Sequence, residues 1–427
     1  MRASSIQVKN FRRFENFNCE FDPHFSLLAG PNGCGKTSLL RAISLSLGLL
    51  RQANQAGHEA VSEHEVRRVD NVDPAGEKWR TPVYPCWIKL RVSGLVSDQM
   101  VFGREKKPST EQVFVDDDPQ TMAGWHFAIQ QSGRWFDPAN AEPIPIIARF
   151  GASKPKGGGI STAVQRPFEQ KQQVWALSSD DVPNIQSLAE WFQYNELRKL
   201  QEASEPIVYR QVRAAVLSSI HATDIKYVVR DNALMVMHEN QGWRPFEQLS
   251  DGQLRLASIF CDLATRCAAL NSHLGEDCIA KTPGVVTIDE LDLHLHPRWQ
   301  RDVVSDLRRT FPAVQFIVTS HSPFLLQAAF EYGKVIDMTT GSFVESGDQS
   351  IEDIAETVMH VDQPQRGKHF LEMKGLAQEF YELLERPKRS AEEEMELKCR
   401  LDKALAVFAN DPASAAWLEQ RRIVAGR

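Results

Sequence analysis

Gly30-Pro31-Asn32-Gly33-Cys34-Gly35-Lys36-Thr37 fits GxxxxGK[ST] at every fixed position. Before it stands Phe25-Ser26-Leu27-Leu28-Ala29, short and apolar, as a buried strand should be. After it, residues 37–50 place Leu39, Leu40, Ile43, Leu47 and Leu50 on one side of a helix. Strand, glycine loop and helix in that order form a phosphate cradle. The glycines let the backbone close into a nest of N–H groups, and the helix N-terminus adds its positive end. Asn32, Gly33, Cys34, Gly35, Lys36, Thr37 and Ser38 are therefore the candidate contacts to a nucleotide. Lys36 would reach the β and γ phosphates, and the Thr37 hydroxyl would bind Mg²⁺.

Three downstream motifs extend this reading. In Val285-Val286-Thr287-Ile288-Asp289-Glu290 an apolar strand ends in two adjacent carboxylates. Asp289 would hold the Mg²⁺ shell, and Glu290 would act on the attacking water as general base. Leu249-Ser250-Asp251-Gly252-Gln253 opens a helix and suits an N-cap at Ser250. Read with the other motifs, it has the LSxGQ form of the ABC-type signature. There Ser250, Gly252 and Gln253 would face the γ phosphate held by a second copy of the chain. Thr319-Ser320-His321-Ser322-Pro323 follows another apolar strand, and His321 is the candidate γ-phosphate sensor. Asp292 falls in the loop expected to cross toward the second nucleotide. His294 and His296 lack a carboxylate or thiol partner set, so a structural role is preferred for them over metal binding. Arg12, in Asn10-Phe11-Arg12-Arg13-Phe14, either reaches back to the nucleotide or is plain surface charge beside a strand.

The rest of the chain supplies the frame. Alternation predicts strands around Ile6–Val8 and Phe17–Phe21, and a strand pair over 83–102. The polar stretch 51–80 reads as an exposed, mobile insertion, and 103–143 as loop-rich. Ile144-Pro145-Ile146-Ile147-Ala148-Arg149-Phe150 reads as a buried strand, 184–221 as largely helical, and 224–238 as two strands. From residue 249 the order helix, strand, helix, strand predicts a parallel sheet. The last 80 or so residues are acidic and helical, with amphipathic stretches around Phe370, Met373, Leu376, Phe380 and Leu383, and around Met395, Leu397, Leu401 and Leu405.

Composition narrows the class. The 427 residues carry 49 Lys and Arg against 56 Asp and Glu, a net charge of −7. That argues against a surface that coats nucleic acid throughout, leaving room for a local patch near Lys154, Lys156, Arg166 and Lys171. Seven scattered cysteines form no CxxC pair, which excludes a zinc ribbon or disulfide framework and points to a reducing, cytoplasmic setting. No stretch is long and apolar enough to span a bilayer.

Together the four motifs resemble the ABC-type ATPases related to SMC proteins, RecF and the overcoming-lysogenization-defect nucleases. The run from Thr287 to Gln300, the run from Phe311 to Pro323, and Trp191-Phe192 more narrowly resemble PtuA, the ATPase of Septu anti-phage systems, whose relatives also accompany some retrons. Ala148-Arg149-Phe150-Gly151-Ala152-Ser153 departs from that pattern, lacking the paired tyrosines expected after this strand.

The resemblance implies an α/β fold: an ABC-type P-loop ATPase head with a mixed β-sheet lobe, a helical insertion and a helical C-terminal region. The expected divisions are 1–160, 161–245, 246–345 and 346–427. The resemblance further implies ATP and Mg²⁺, a homodimer or larger homo-oligomer, an HNH-type nuclease on a separate chain, and nucleic acid reached through that complex. The span between Lys36 and Ser250 has no sustained heptads, so a long coiled-coil arm is excluded. Residues after His321 show no acidic strand ends of the kind a fused nuclease needs. The helical C-terminal region either docks the effector or caps the ATPase core. A RecF-like repair ATPase binding DNA directly, and a nucleotide-gated scaffold with little hydrolysis, are the alternatives.

Overall fold

A computed structural model describes residues 1–52, 60–72, 78–94, 100–112, 119–137, 141–152, 171, 185–202, 205–239, 242–345, 350–359, 361, 372, 375–376, 378–380 and 391–406. The basic residues Lys154, Lys156 and Arg166, and the apolar positions Phe370, Met373 and Leu383, lie outside them. The chain divides into two compact units, one of residues 1–354 with 358–360, the other of 355–357 with 361–427.

In the first unit, β1 (Arg2–Phe11) and β2 (Phe14–Glu20) form a tight hairpin, and β3 (Phe25–Ala29) leads into α1 (Lys36–Gln52). A second hairpin, β4 (Arg68–Val72) with β5 (Lys78–Pro82), precedes β6 (Cys86–Ser93), β7 (Met100–Lys106) and β8 (Glu111–Gln112). Then come α2 (Pro119–Trp135), β9 (Ile146–Phe150), α3 (Ile185–Glu202) and α4 (Ile207–Ile220). A meander of β10 (Asp224–Val228), β11 (Ala233–His238) and β12 (Gly242–Pro245) leads to α5 (Asp251–Leu270). The unit continues through β13 (Gly284–Ile288), α6 (Pro297–Thr310), β14 (Val314–Thr319), α7 (Pro323–Tyr332) and β15 (Lys334–Asp337).

The strands sort into an antiparallel sheet, β2-β1-β6-β7-β8, and a wholly parallel one, β15-β3-β14-β13-β9. The parallel strands read as continuous apolar runs because they are covered on both faces. Every residue of β3, β13 and β14 is buried. Contacts tie α1 to β6 and β7 of one sheet and to β13 and β14 of the other. That explains a departure from the one-sided apolar stripe predicted for this helix. Leu45 and Leu49 are as buried as Leu39 and Leu47, because the helix is covered by both sheets and not along one stripe alone.

Two other expectations are corrected. The insertion over 51–80 is not uniformly exposed. Val61 and Val66 are buried, and Val66 bridges to Phe11 across the β1–β2 turn. The supposed loop at 103–143 contains helix α2. This helix packs on β7 so closely that a Cβ at Gly124 would lie 2.1 Å from the Val101 carbonyl oxygen. Strands β12 and β15, each four residues long, were not foreseen. Within the second unit, α8 (Ala391–Ala406) exposes Met395. Among the described residues, no helix is long and apolar enough to cross a membrane.

Candidate functional site

In open parallel sheets the ligand crevice lies beyond the carboxyl ends of the strands. Here three adjacent strands, β3, β14 and β13, deliver the glycine loop, Thr319–His321 and Asp289–Glu290 to one end of the sheet. A cleft of 390 Å³ opens there, lined by Arg12, Arg13, Asn32, Gly33, Gly35, Lys36, Thr37, Ser38, Asp289, Glu290, Thr319 and His321. Cys34, Ser250, Gly252, Gln253 and Asp292 are not among its lining residues.

The glycine loop takes its shape from backbone that L side chains rarely adopt. Gly30, Gly33 and Gly35 have φ of 143°, 77° and 103°. At Gly35 a Cβ would also meet the Phe14 ring at 2.5 Å and Arg13 Cδ at 2.8 Å. Cys34 turns inward and is buried. Lys36 folds back on the loop, with Nζ donating to the Gly30 carbonyl at 2.7 Å and the Pro31 carbonyl at 3.1 Å. Burial lowers its pKa, while Cys34, Asp289 and Glu290 oppose that shift.

The acidic end of β13 is held from two sides. The Thr319 hydroxyl donates to Asp289 Oδ1 at 2.6 Å and accepts from the Glu290 N–H at 2.8 Å. From α5, Arg255 donates through Nη1 to the Glu290 carbonyl and through Nη2 to the Asp289 carbonyl, both at 2.8 Å. Nη2 also contacts the Gly151 carbonyl at 3.4 Å. Burial pulls the Arg255 pKa below the usual arginine range, against Asp292, Glu290 and Asp289, which draw it up. Glu290 itself has φ of 49°, the left-handed region, which costs a non-glycine residue about 1–3 kcal/mol and persists where neighbours impose it.

His321 lies between two buried serines. The Ser320 hydroxyl accepts from the Ser322 N–H at 2.9 Å, and Ser322 caps α7 and donates to Gln300 at 2.6 Å. Ser250 caps α5 in a reciprocal box with Gln253; Ser250 is exposed and Gln253 half-buried. Gly252 is pressed against the neighbouring loop, where a Cβ would lie 2.4 Å from the His294 carbonyl oxygen. Asp292 Oδ1 is buried with no hydrogen-bond partner. His296 caps α6 through Nδ1, which accepts from the Arg298 N–H at 3.3 Å.

A glycine loop, three cations and two carboxylates lining one cleft suit a metal-bound triphosphate. Known proteins point the same way. Two family models match, one described as "AAA domain, putative AbiEii toxin, Type IV TA system" over residues 168–327, the other as "AAA domain" over 5–121. The Retron Ec83 probable ATPase of Escherichia coli is 23% identical over 385 residues, covering 76% of this chain and 69% of that protein. Septu protein PtuA of Bacillus mycoides is 30% identical over 340 residues, covering 76% of this chain and 39% of that protein. The chain resembles the retron and Septu ATPases, and AAA-domain models match two parts of it.

The Smc head bound to the C-winged helix domain of ScpA aligns at 14% identity with a TM-score of 0.46, over 82% of this chain and 98% of that one. Sequence reasoning missed Arg13, Thr319 and Arg255. Arg13 adjoins Arg12 in a turn that only the fold brings to the glycine loop. Thr319 was quoted within its motif, but no periodicity marks a strand-end threonine as a clamp. Arg255 stands just past the signature in a helix read only for its N-cap and signature residues.

Proposed function

We propose that this chain hydrolyses ATP with Mg²⁺ in a cytoplasmic head-to-tail homodimer, and that its nucleotide state governs an effector nuclease in anti-phage defence. The carrying observation is the split of the candidate residues. Lys36, Thr37, Asp289, Glu290 and His321 line one cleft, whereas Ser250 stands exposed and Gln253 half-buried at the start of α5, outside that lining. A helix N-terminus with a solvent-facing serine is suited to a phosphate brought by a second copy.

In this reading Asn32, Gly33, Cys34, Gly35 and Ser38 wrap the phosphate chain, mainly through backbone N–H groups. Lys36 exchanges the Gly30 and Pro31 carbonyls for phosphate oxygens. Thr37 and Asp289 hold Mg²⁺, which when bound neutralises charge on the phosphates. Glu290 takes the proton of the attacking water. His321 and Arg12 meet the phosphates from the rim, and Ser250, Gly252, Gln253 and Asp292 serve the nucleotide of the partner copy. The effector is an HNH-type nuclease on a separate chain, through which nucleic acid is engaged. The relatives' names, a retron ATPase and a Septu protein, support the ATPase part of this reading, and the region over 346–427 is the candidate dock.

The test is solution mass by light scattering of the Glu290→Gln protein with and without ATP and Mg²⁺. Association that depends on ATP and is lost in Glu290→Gln/Ser250→Arg supports the composite site. Mass independent of ATP, or association unaffected by Ser250→Arg, refutes it.

A further inference from the structure

Glu65 is a buried carboxylate outside every motif above. It ends a short turn, Glu63–Glu65, on a strap of backbone that crosses the β1–β2 turn. The strap is fastened on both sides of that turn. The Arg12 N–H donates to the Glu65 carbonyl at 2.6 Å, and the Arg67 N–H to the Asn10 carbonyl at 2.8 Å. The Glu65 carboxylate, 6% exposed, accepts from the Ser62 N–H at 3.1 Å, Arg12 Nη2 at 2.8 Å and Arg41 Nε at 3.0 Å. Burial alone would raise its pKa, but these donors outweigh burial and hold it below the usual range.

Arg12 lines the cleft from a residue with φ of 49°. A guanidinium carries five N–H donors, and the contact with Glu65 engages Nη2. An arginine at a cleft rim otherwise samples many rotamers, and fixing it costs side-chain entropy. Glu65 is itself anchored by Arg41 of α1, the helix that begins at Lys36. One carboxylate thus ties the arginine of the rim to the helix of the phosphate loop.

We infer that Glu65 is a positioning residue, whose carboxylate aims the Arg12 guanidinium at the phosphate chain of a nucleoside triphosphate. The inference rests on the reading of the cleft as the ATP site. The opposite arrangement, in which Glu65 neutralises Arg12 and withholds it from the nucleotide, makes the opposite prediction.

The test is titration of fluorescent mant-ATP with Mg²⁺ into the full chain, for the wild type, Lys36→Ala, Arg12→Ala, Glu65→Ala, Glu65→Gln and the Arg12→Ala/Glu65→Ala double variant. A charge-assisted contact to phosphate sets the scale at about tenfold weaker binding for Arg12→Ala. Glu65→Ala is expected to weaken binding about fivefold, and the double variant to bind no more weakly than Arg12→Ala, the non-additivity of residues acting through one another. Where Glu65→Ala melts too low to titrate, the isosteric Glu65→Gln carries the test, with a loss of about twofold to threefold on the same scale. Tighter binding, unchanged binding, or a loss of equal size in the Arg12→Ala background overturns the positioning role. If Lys36→Ala binds mant-ATP as the wild type does, the ATP-site reading falls first. If Lys36→Ala loses binding while the Glu65 variants keep it, this inference alone fails.

Discussion

Replacing Arg255 by methionine keeps an unbranched side chain in α5 and removes the fork that grips the carbonyls of Asp289 and Glu290. Each 2.8 Å contact from a cation to a carbonyl is worth about 1.5–3 kcal/mol. Relief of a buried guanidinium offsets part of their sum, so the net loss of folding stability is expected at about 1–3 kcal/mol. The catalytic effect follows from Glu290. Its left-handed backbone is disfavoured on its own, and Arg255 holds it together with Thr319 and the Leu293 N–H, which donates to the Glu290 carbonyl at 3.0 Å. If Arg255 supplies about 2 kcal/mol of that bias, turnover falls about 30-fold. Nucleotide affinity should change little, because Arg255 does not line the cleft. Phosphate release measured beside mant-ATP titration separates the two effects. Arg255→Lys should behave like the methionine variant, since an ammonium cannot fork to two carbonyls. Turnover within twofold of wild type would refute the idea that Arg255 sets Glu290, and full rescue by lysine would replace the fork with simple charge.

Thr319→Val preserves shape while stripping Asp289 of a donor and the Glu290 N–H of an acceptor. Urea unfolding should show a loss of about 2–4 kcal/mol, with turnover reduced in parallel, and an unchanged midpoint would contradict the clamp. His221 stacks on Trp299 and pairs with Asp306 at 2.8 Å, and that hydrogen bond raises its pKa. A raised value means that the native state holds the proton more tightly. The stability gained over His221→Gln should be full below pH ~6.5 and lost as pH rises through the raised value. Urea titrations at pH 5.5 and 9 check this, and a difference that does not shrink at high pH would exclude the pair as its source.

Much of this architecture is legible in the chain because its signals are local. Phe25–Ala29 can be read as a buried strand from five consecutive residues, and the glycine loop from eight. What escaped reading depends on contacts distant in sequence. Gly124 and the polar residues around it give α2 a weak helical pattern, since the helix is shaped by its approach to β7. Strands β12 and β15 are too short to show alternation. Glu65 sits in a polar stretch that looks solvated until the fold places two arginines beside it. The same holds for Arg255, whose role lies in backbone carbonyls that no side-chain pattern reveals.

The order of the parallel sheet also governs how the molecule can be made. Strand β3, which launches the phosphate loop, lies between β14 and β15, near the other end of the first unit's sequence. Buried Gln315 adds a tie of the same reach, its amide bonding the backbone of Ala3 in both directions at 2.7 Å. During synthesis the loop therefore emerges long before its flanking strands exist. Until residues 314–337 leave the ribosome, β3 has no partner on either edge and presents Phe25, Leu27, Leu28 and Ala29 to solvent or to a chaperone. Closure across so long a span is entropically slow. Nucleotide-binding competence should thus arrive late and all at once, and a ribosome stalled before β14 would carry the glycine motif without a cradle.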